Sequence, residues 1–141
     1  MSEILLKNAD TILTMDDGRR ELSFADIRIK DGVITQIGQD LSGSAEVVDV
    51  SGCVVTPGLV NTHHHLYQNL TRAVPGGQDA LLFGWLQTLY PIWSRMTPDH
   101  MFTSAQIGLA ELALSGCTLS SDHLYLYPNG VRLEDTIHAA A

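Results

Sequence analysis

The segment "VVTPGLVNTHHH", residues 54–65, separates two different kinds of sequence. Pro57-Gly58 is a strong local break. A short apolar run, Leu59-Val60-Asn61, follows it and turns polar at its C-terminal end. Three consecutive histidines come next, half of the six in the chain. What lies on either side decides how they are read.

Upstream, residues 3 to 56 have the period of two that marks short strands. "ILLKNADTILTM" carries two β-rich runs around Asn8-Ala9-Asp10, and "DDGRRE" reads as a turn. In "ADIRIKDGVITQIG", Asp31-Gly32 sits between alternating apolar runs, the pattern of a tight hairpin. "VVDVSGCVVTPG" adds two further short strands. About fifty residues of strand cannot close a large core alone, so this part is expected to pack on something else or to recruit other strands.

Downstream the period changes. Trp85, Leu89 and Trp93 recur at helical spacing in "ALLFGWLQTLYPIWSRM", which Pro91 should kink or shorten. Thr97-Pro98-Asp99 is a helix start, with a capping hydroxyl, a proline suited to the first turn and an acid at the positive end. That helix should run to about Ser115 and stop at Gly116. "CTLSSDHLYLYPNG" returns to strand and ends at Pro128-Asn129-Gly130, and "RLEDTIHAAA" opens another helix. Strand, helix, strand, helix is a βαβ pattern, with a parallel sheet and helices outside it. The reading is therefore α/β, with residues 1–57 as a partial β-sandwich domain and residues 58–141 as a second domain.

Composition narrows the function. Hydrophobic residues make up 45% of the 141, which excludes a disordered chain. The net charge of −8, with the acids spread out, argues against nucleic acid as a partner. Cys53 and Cys117 lie in apolar surroundings without paired spacing, so no disulfide framework is expected, and burial is the expected role of Cys117. No signal peptide and no apolar run long enough to span a membrane are seen, and a cytoplasmic protein is the default.

Side chains alternate along a strand, so His63 and His65 are expected on one face and His64 on the other. Two imidazoles so placed can reach one metal ion, and the C-terminal end of a parallel strand is where α/β folds build their sites.

"VVTPGLVNTHHHLYQNLTRA" resembles the entry region of the amidohydrolase superfamily. There a hydrophobic strand, Pro-Gly and His-x-His form the first strand of a metal-bearing (β/α)8 barrel. The upstream part is similar to that family's N-terminal sandwich strands, and "SGCTLSSDHLYLYPNG" to its second barrel strand and following loop. The similarity covers essentially the whole chain. It is greatest to the cytosine and guanine deaminase-like branch, which also holds the triazine hydrolases. "NTHHHLYQNLTRAVPGGQD", "WLQTLYPIW" and "SSDHLYLYPNG" look most like the branch members that deaminate 8-oxoguanine.

The resemblance implies that His63 and His65 are the first two ligands of one divalent metal, zinc or iron. It makes Gln68 and His123 candidates for contact with substrate, a purine or related heterocycle, and leaves Arg72 a structural role. The implied reaction is hydrolytic deamination, for example of 8-oxoguanine to urate and ammonia. The His-x-Glu and Cys-x-x-Cys signature of the small zinc deaminases is absent. The family's remaining ligands and its proton-shuttling Glu belong to later strands, so the general base is expected beyond residue 141. A (β/α)8 barrel takes about 200 residues or more. The chain is thus expected to be the N-terminal part of a longer enzyme, a homo-oligomer when full length, and inactive alone. A triazine-type hydrolase that expels chloride or an alkylamine is the alternative within enzymes. A non-catalytic fragment or interaction module is the alternative outside them.

Overall fold

The computed structural model describes residues 2–141 and separates into two compact units, the second beginning at Gly58. The first unit is a five-stranded sheet. Strands β1 (Glu3–Leu13), β2 (Glu21–Lys30), β3 (Val33–Gly38) and β4 (Glu46–Asp49) lie in the order β3-β2-β1-β4, and β5 (Val54–Val55) also pairs with β1. β1 and β2 are antiparallel, as are β2 and β3, whereas β4 and β5 run parallel to β1.

The hairpin falls at Asp31-Gly32, where both residues have positive φ, 50° and 80°. That is the conformation an Asp-Gly turn supplies with least strain. The two runs expected around Asn8 are instead one strand. Asn8 takes a positive φ of 66° within a β-bulge, so the chain keeps pairing with β2 across it. Ala9, Ile12, Ala25 and Ile27 form the buried centre of this unit. Val33, Ile34, Val47 and Val54 remain exposed on the sheet.

Asp26 is the charged group in this interior, 3% exposed. Its carboxylate accepts from Lys7 Nζ at 2.8 Å and from the N–H groups of Asn8 and Leu41, both at 2.9 Å. Burial alone would raise its pKa. The Lys7 ammonium and the two amides outweigh burial and hold the carboxyl below its ordinary value. Cys53 is exposed, contrary to the apolar surroundings expected of it, because it follows the Ser51-Gly52 turn on the surface. Cys117 is only half-buried, and both thiols are free.

The second unit holds β6 (Leu59–Asn61), α1 (Leu82–Trp93), α2 (Pro98–Leu114), β7 (Cys117–Ser120) and α3 (Leu133–His138). β6 and β7 pair in parallel, as the βαβ pattern requires. Both strands are shorter than the sequence suggests. β6 stops before the histidines, and β7 stops before Asp122. "LYQNLT" forms a 3-10 turn at Leu66–Thr71.

Thr97 caps α2, with Pro98 in its first turn, and Gly116 closes its end at a φ of 84°. Along α2, Met101, Ser104, Ala105 and Gly108 form the buried stripe. Ser104 Oγ donates to the Leu66 carbonyl at 2.8 Å and accepts from the Leu70 N–H at 3.3 Å, which seats the 3-10 turn on the helix. Gly108 permits that approach. A Cβ there would lie 2.3 Å from the Asn69 side-chain nitrogen. Pro91 stands in the last turn of α1, which continues to Trp93. Leu89 and Trp93 of the helical stripe enter the core with Tyr67, Met96 and Met101, while Trp85 packs at its margin.

Candidate active site

The site is built where β6 and β7 end side by side. Pairing continues beyond the strands. The Ser121 N–H donates to the Asn61 carbonyl at 2.9 Å, and the His123 N–H to the His64 carbonyl at 2.8 Å. Gly58 allows β6 to enter this register, because a Cβ there would lie 2.1 Å from Thr118 Oγ1. Asn61 Oδ1 accepts from the His63 N–H at 3.0 Å and turns the chain after β6.

This pairing gathers three imidazoles. The rings of His63 and His65 are 4.9 Å apart between centroids and nearly perpendicular. His123 lies 5.0 Å from His63 and 5.6 Å from His65. Nδ1 of His65 is 2.8 Å from the His123 carbonyl oxygen. A carbonyl only accepts, so Nδ1 carries the proton and the Nε2 lone pair is left for a metal. His123 Nδ1 meets the His64 carbonyl at 3.2 Å in the same way.

The spacing of the His63 and His65 rings is one that two imidazole ligands of a single metal ion could take. Zinc takes imidazole nitrogens at about 2.0–2.1 Å, which places two ligating rings about 5 Å apart at a near-tetrahedral angle. The 4.9 Å separation matches that spacing. Among the described residues, no group of three or more His, Cys, Asp or Glu side chains is placed to hold a metal ion. His64 does not simply face away as strand alternation suggests, because β6 has already ended. Its half-buried ring borders the same cleft, and its buried Nδ1 has no hydrogen-bond partner.

The cleft has a volume of about 380 Å³ and is bordered by the three consecutive histidines, Gln68, Asn69, Thr71, Arg72, Trp85 and Leu89. His123 is not on its wall. Arg72 makes a two-pronged ion pair with Glu111 of α2, at 2.5 and 2.6 Å, the structural role expected of it. Asp122 turns away from the cleft and accepts from the Leu66 N–H at 3.0 Å.

Two residues that the sequence did not single out complete the arrangement. Gln68 Nε2 donates to the hydroxyls of Tyr67, at 3.1 Å, and Tyr125, at 3.2 Å. Tyr67 is fully buried, and burial, reinforced by the neighbouring Tyr125, pushes its phenol far above the usual range, so it stays neutral. The Tyr125 ring stands edge-on to both His65 and Tyr67, at 5.1 and 5.5 Å. Behind them Trp93 Nε1 donates to Thr71 Oγ1 at 3.0 Å, and Thr71 donates to the Gln68 carbonyl at 3.0 Å. Neither tyrosine carried a spacing signal.

A fold with His-x-His at the end of a parallel strand defines a class, and comparison with known proteins agrees with it. Residues 54–140 match the model of the amidohydrolase family, and the chain belongs to that family. It is 47% identical over 117 residues to 8-oxoguanine deaminase of Pseudomonas aeruginosa, covering 80% of this chain and 26% of that protein. It is 39% identical over 139 residues to isoxanthopterin deaminase of an unknown prokaryotic organism, covering 94% of this chain and 29% of the relative. A solved structure of atrazine chlorohydrolase from Arthrobacter aurescens, complexed with zinc, superposes with a TM-score of 0.88 at 31% identity. That match covers 97% of this chain and 33% of the other. The chain thus spans about a quarter to a third of the length of the proteins it resembles. Among the described residues, no helix is long and apolar enough to cross a membrane.

Proposed function

We propose that the chain is the N-terminal part of a metal-dependent aminohydrolase that removes an amino group from a purine-like heterocycle, 8-oxoguanine being the leading candidate. The observation that carries this reading is the His63–His65 pair, with rings 4.9 Å apart and the tautomer of His65 set by the His123 carbonyl. The likeness to 8-oxoguanine deaminase supports the choice of substrate.

In this reading His63 and His65 hold one divalent metal, zinc first and iron second, through their Nε2 atoms. When bound, such an ion supplies Lewis acidity at the cleft wall. The His123 main chain orients His65, and its ring borders the metal pair. Gln68 offers a side-chain amide to the heterocycle, and Trp85 and Leu89 give the cleft its apolar wall. The remaining ligands and the general base come from residues after 141, on the later strands of a (β/α)8 barrel. The first unit is part of a β-sandwich domain. The whole protein is a cytoplasmic homo-oligomer with a small-molecule substrate and no nucleic-acid or membrane partner.

The test is ammonia release by the zinc-loaded full-length protein from 8-oxoguanine, guanine and cytosine, with urate formation followed from the first. No release from any of them defeats the reading. A triazine-type hydrolase is the second reading, supported by the likeness to atrazine chlorohydrolase. A chlorotriazine in the same assay, with chloride release as readout, separates the two.

A further inference from the structure

We propose that Asp122, which does not border the cleft, is a positioning residue for His65 and acts through the peptide that joins His65 to Leu66. The role rests on the part of the aminohydrolase reading in which His63 and His65 hold one divalent metal.

Asp122 and His123 together hold three consecutive residues. The His123 N–H donates to the His64 carbonyl at 2.8 Å, and the His123 carbonyl accepts from His65 Nδ1 at 2.8 Å. Asp122 Oδ1 accepts from the Leu66 N–H at 3.0 Å. The first two contacts use the main chain of residue 123, whereas the third depends on the side chain at 122. His65 precedes the 3-10 turn Leu66–Thr71, and its own side chain caps nothing there. The first N–H of that turn therefore needs an acceptor from elsewhere, and Asp122 supplies it. The Leu66 carbonyl is held as well, by Ser104 Oγ and Asn69 Nδ2, each at 2.8 Å. With both polar groups of Leu66 tied, the backbone of His65 is kept at φ −123° and ψ 80°, outside the helical region. Packing does not account for a carboxylate at this place. Asp122 adjoins a cavity lined largely by Leu66, Leu109, Leu133 and Ile137, and among the described residues its buried Oδ2 has no hydrogen-bond partner. An apolar side chain would suit such surroundings better, so the acceptor for Leu66 is what the carboxylate contributes. Hydrogen bonds behind a metal ligand set its orientation and the affinity of the site. Without this one, the peptide after His65 can turn and carry the ring out of line with His63.

The experiment uses the full-length protein, well below its melting temperature, with zinc affinity measured by competition against a chelator. The visible spectrum of the cobalt-loaded form is recorded beside it. Asp122→Ala removes the acceptor, while Asp122→Asn keeps an oxygen that can accept from the Leu66 N–H. Zinc affinity lowered about ten- to a hundredfold is expected in Asp122→Ala, the scale for hydrogen bonds behind metal ligands, together with an altered cobalt spectrum. Asp122→Asn should recover most of the affinity and the original spectrum. A merely structural residue would lower the melting temperature and leave the affinity and spectrum of the folded protein unchanged. That result in Asp122→Ala overturns the proposal. So does an Asp122→Asn variant as weak in zinc as Asp122→Ala, which would make the charge and not the acceptor the active feature. Should Asp122→Ala fail to fold, Asp122→Leu, which fills the apolar surroundings but accepts nothing, is read in its place. An unaltered protein that holds no zinc overturns the metal pair and this role together. If it holds zinc but releases no ammonia from 8-oxoguanine, guanine or cytosine, the aminohydrolase reading falls, and the zinc affinities of the variants still uphold or overturn the role of Asp122.

Discussion

The imidazole of His65 donates its Nδ1 proton to the main-chain carbonyl of His123, 58 positions later in the chain and 2.8 Å away. The contact joins the ends of two parallel strands and decides which nitrogen of His65 can bind a metal. It comes from the backbone, so it does not depend on which side chain stands at position 123.

That distinction gives the first prediction. In the full-length protein, His65→Ala should lose stoichiometric metal, whereas His123→Ala should retain it with little change in KM, because its main chain holds His65 and its ring is not on the cleft wall. Metal content by elemental analysis after dialysis, set beside steady-state kinetics, checks both. Loss of metal from His123→Ala at intact secondary structure would make its ring a ligand instead.

The 141-residue chain alone should bind zinc weakly and turn over nothing. Tight zinc sites take three or four protein ligands, and the His63–His65 pair offers two. Equilibrium dialysis against micromolar zinc tests this, and stoichiometric zinc that survives dialysis would contradict it.

Gly58→Ala should destabilise the second unit by about 1–3 kcal/mol, the usual cost of overpacking. The added Cβ would meet the Thr118 side chain at 2.1 Å, where neither backbone can retreat without loss of the parallel pairing. Urea unfolding of the full-length variant gives the number, and an unchanged midpoint would mean that the strands part without cost.

Asp26 predicts an acid-sensitive first unit. Its folded pKa lies below the unfolded value, so its stabilisation is complete above the unfolded pKa of about 3.9 and is lost as pH falls through the folded value. Asp26→Asn should cost about 2 kcal/mol near neutrality, the scale of hydrogen bonds to a charged group, and should flatten the loss of stability on acidification. Denaturation midpoints between pH 6 and pH 3 for both proteins measure it.

The sequence determined what neighbouring residues settle among themselves. Thr97-Pro98-Asp99 can only begin a helix well, Asp31-Gly32 suits a tight hairpin, and Pro57-Gly58 interrupts whatever precedes it. The His-x-His spacing and the flanks that resemble the amidohydrolases were likewise legible, since each is a property of a short run. The tertiary structure decided the rest. Asn8 looked like a break because asparagine is common in turns, yet pairing with β2 on one side and with β4 and β5 on the other carries the strand through it as a bulge. The histidines fall just past the end of β6, so their directions follow from contacts with the segment after β7 and not from strand alternation. Tyr67 and Tyr125 meet at Gln68 only because the parallel pairing of β6 and β7 places the ends of both strands together. Local chemistry acts over a few bonds and can be read in order. Contacts between residues nearly sixty positions apart arise only once the strands have paired and the helices between them have packed.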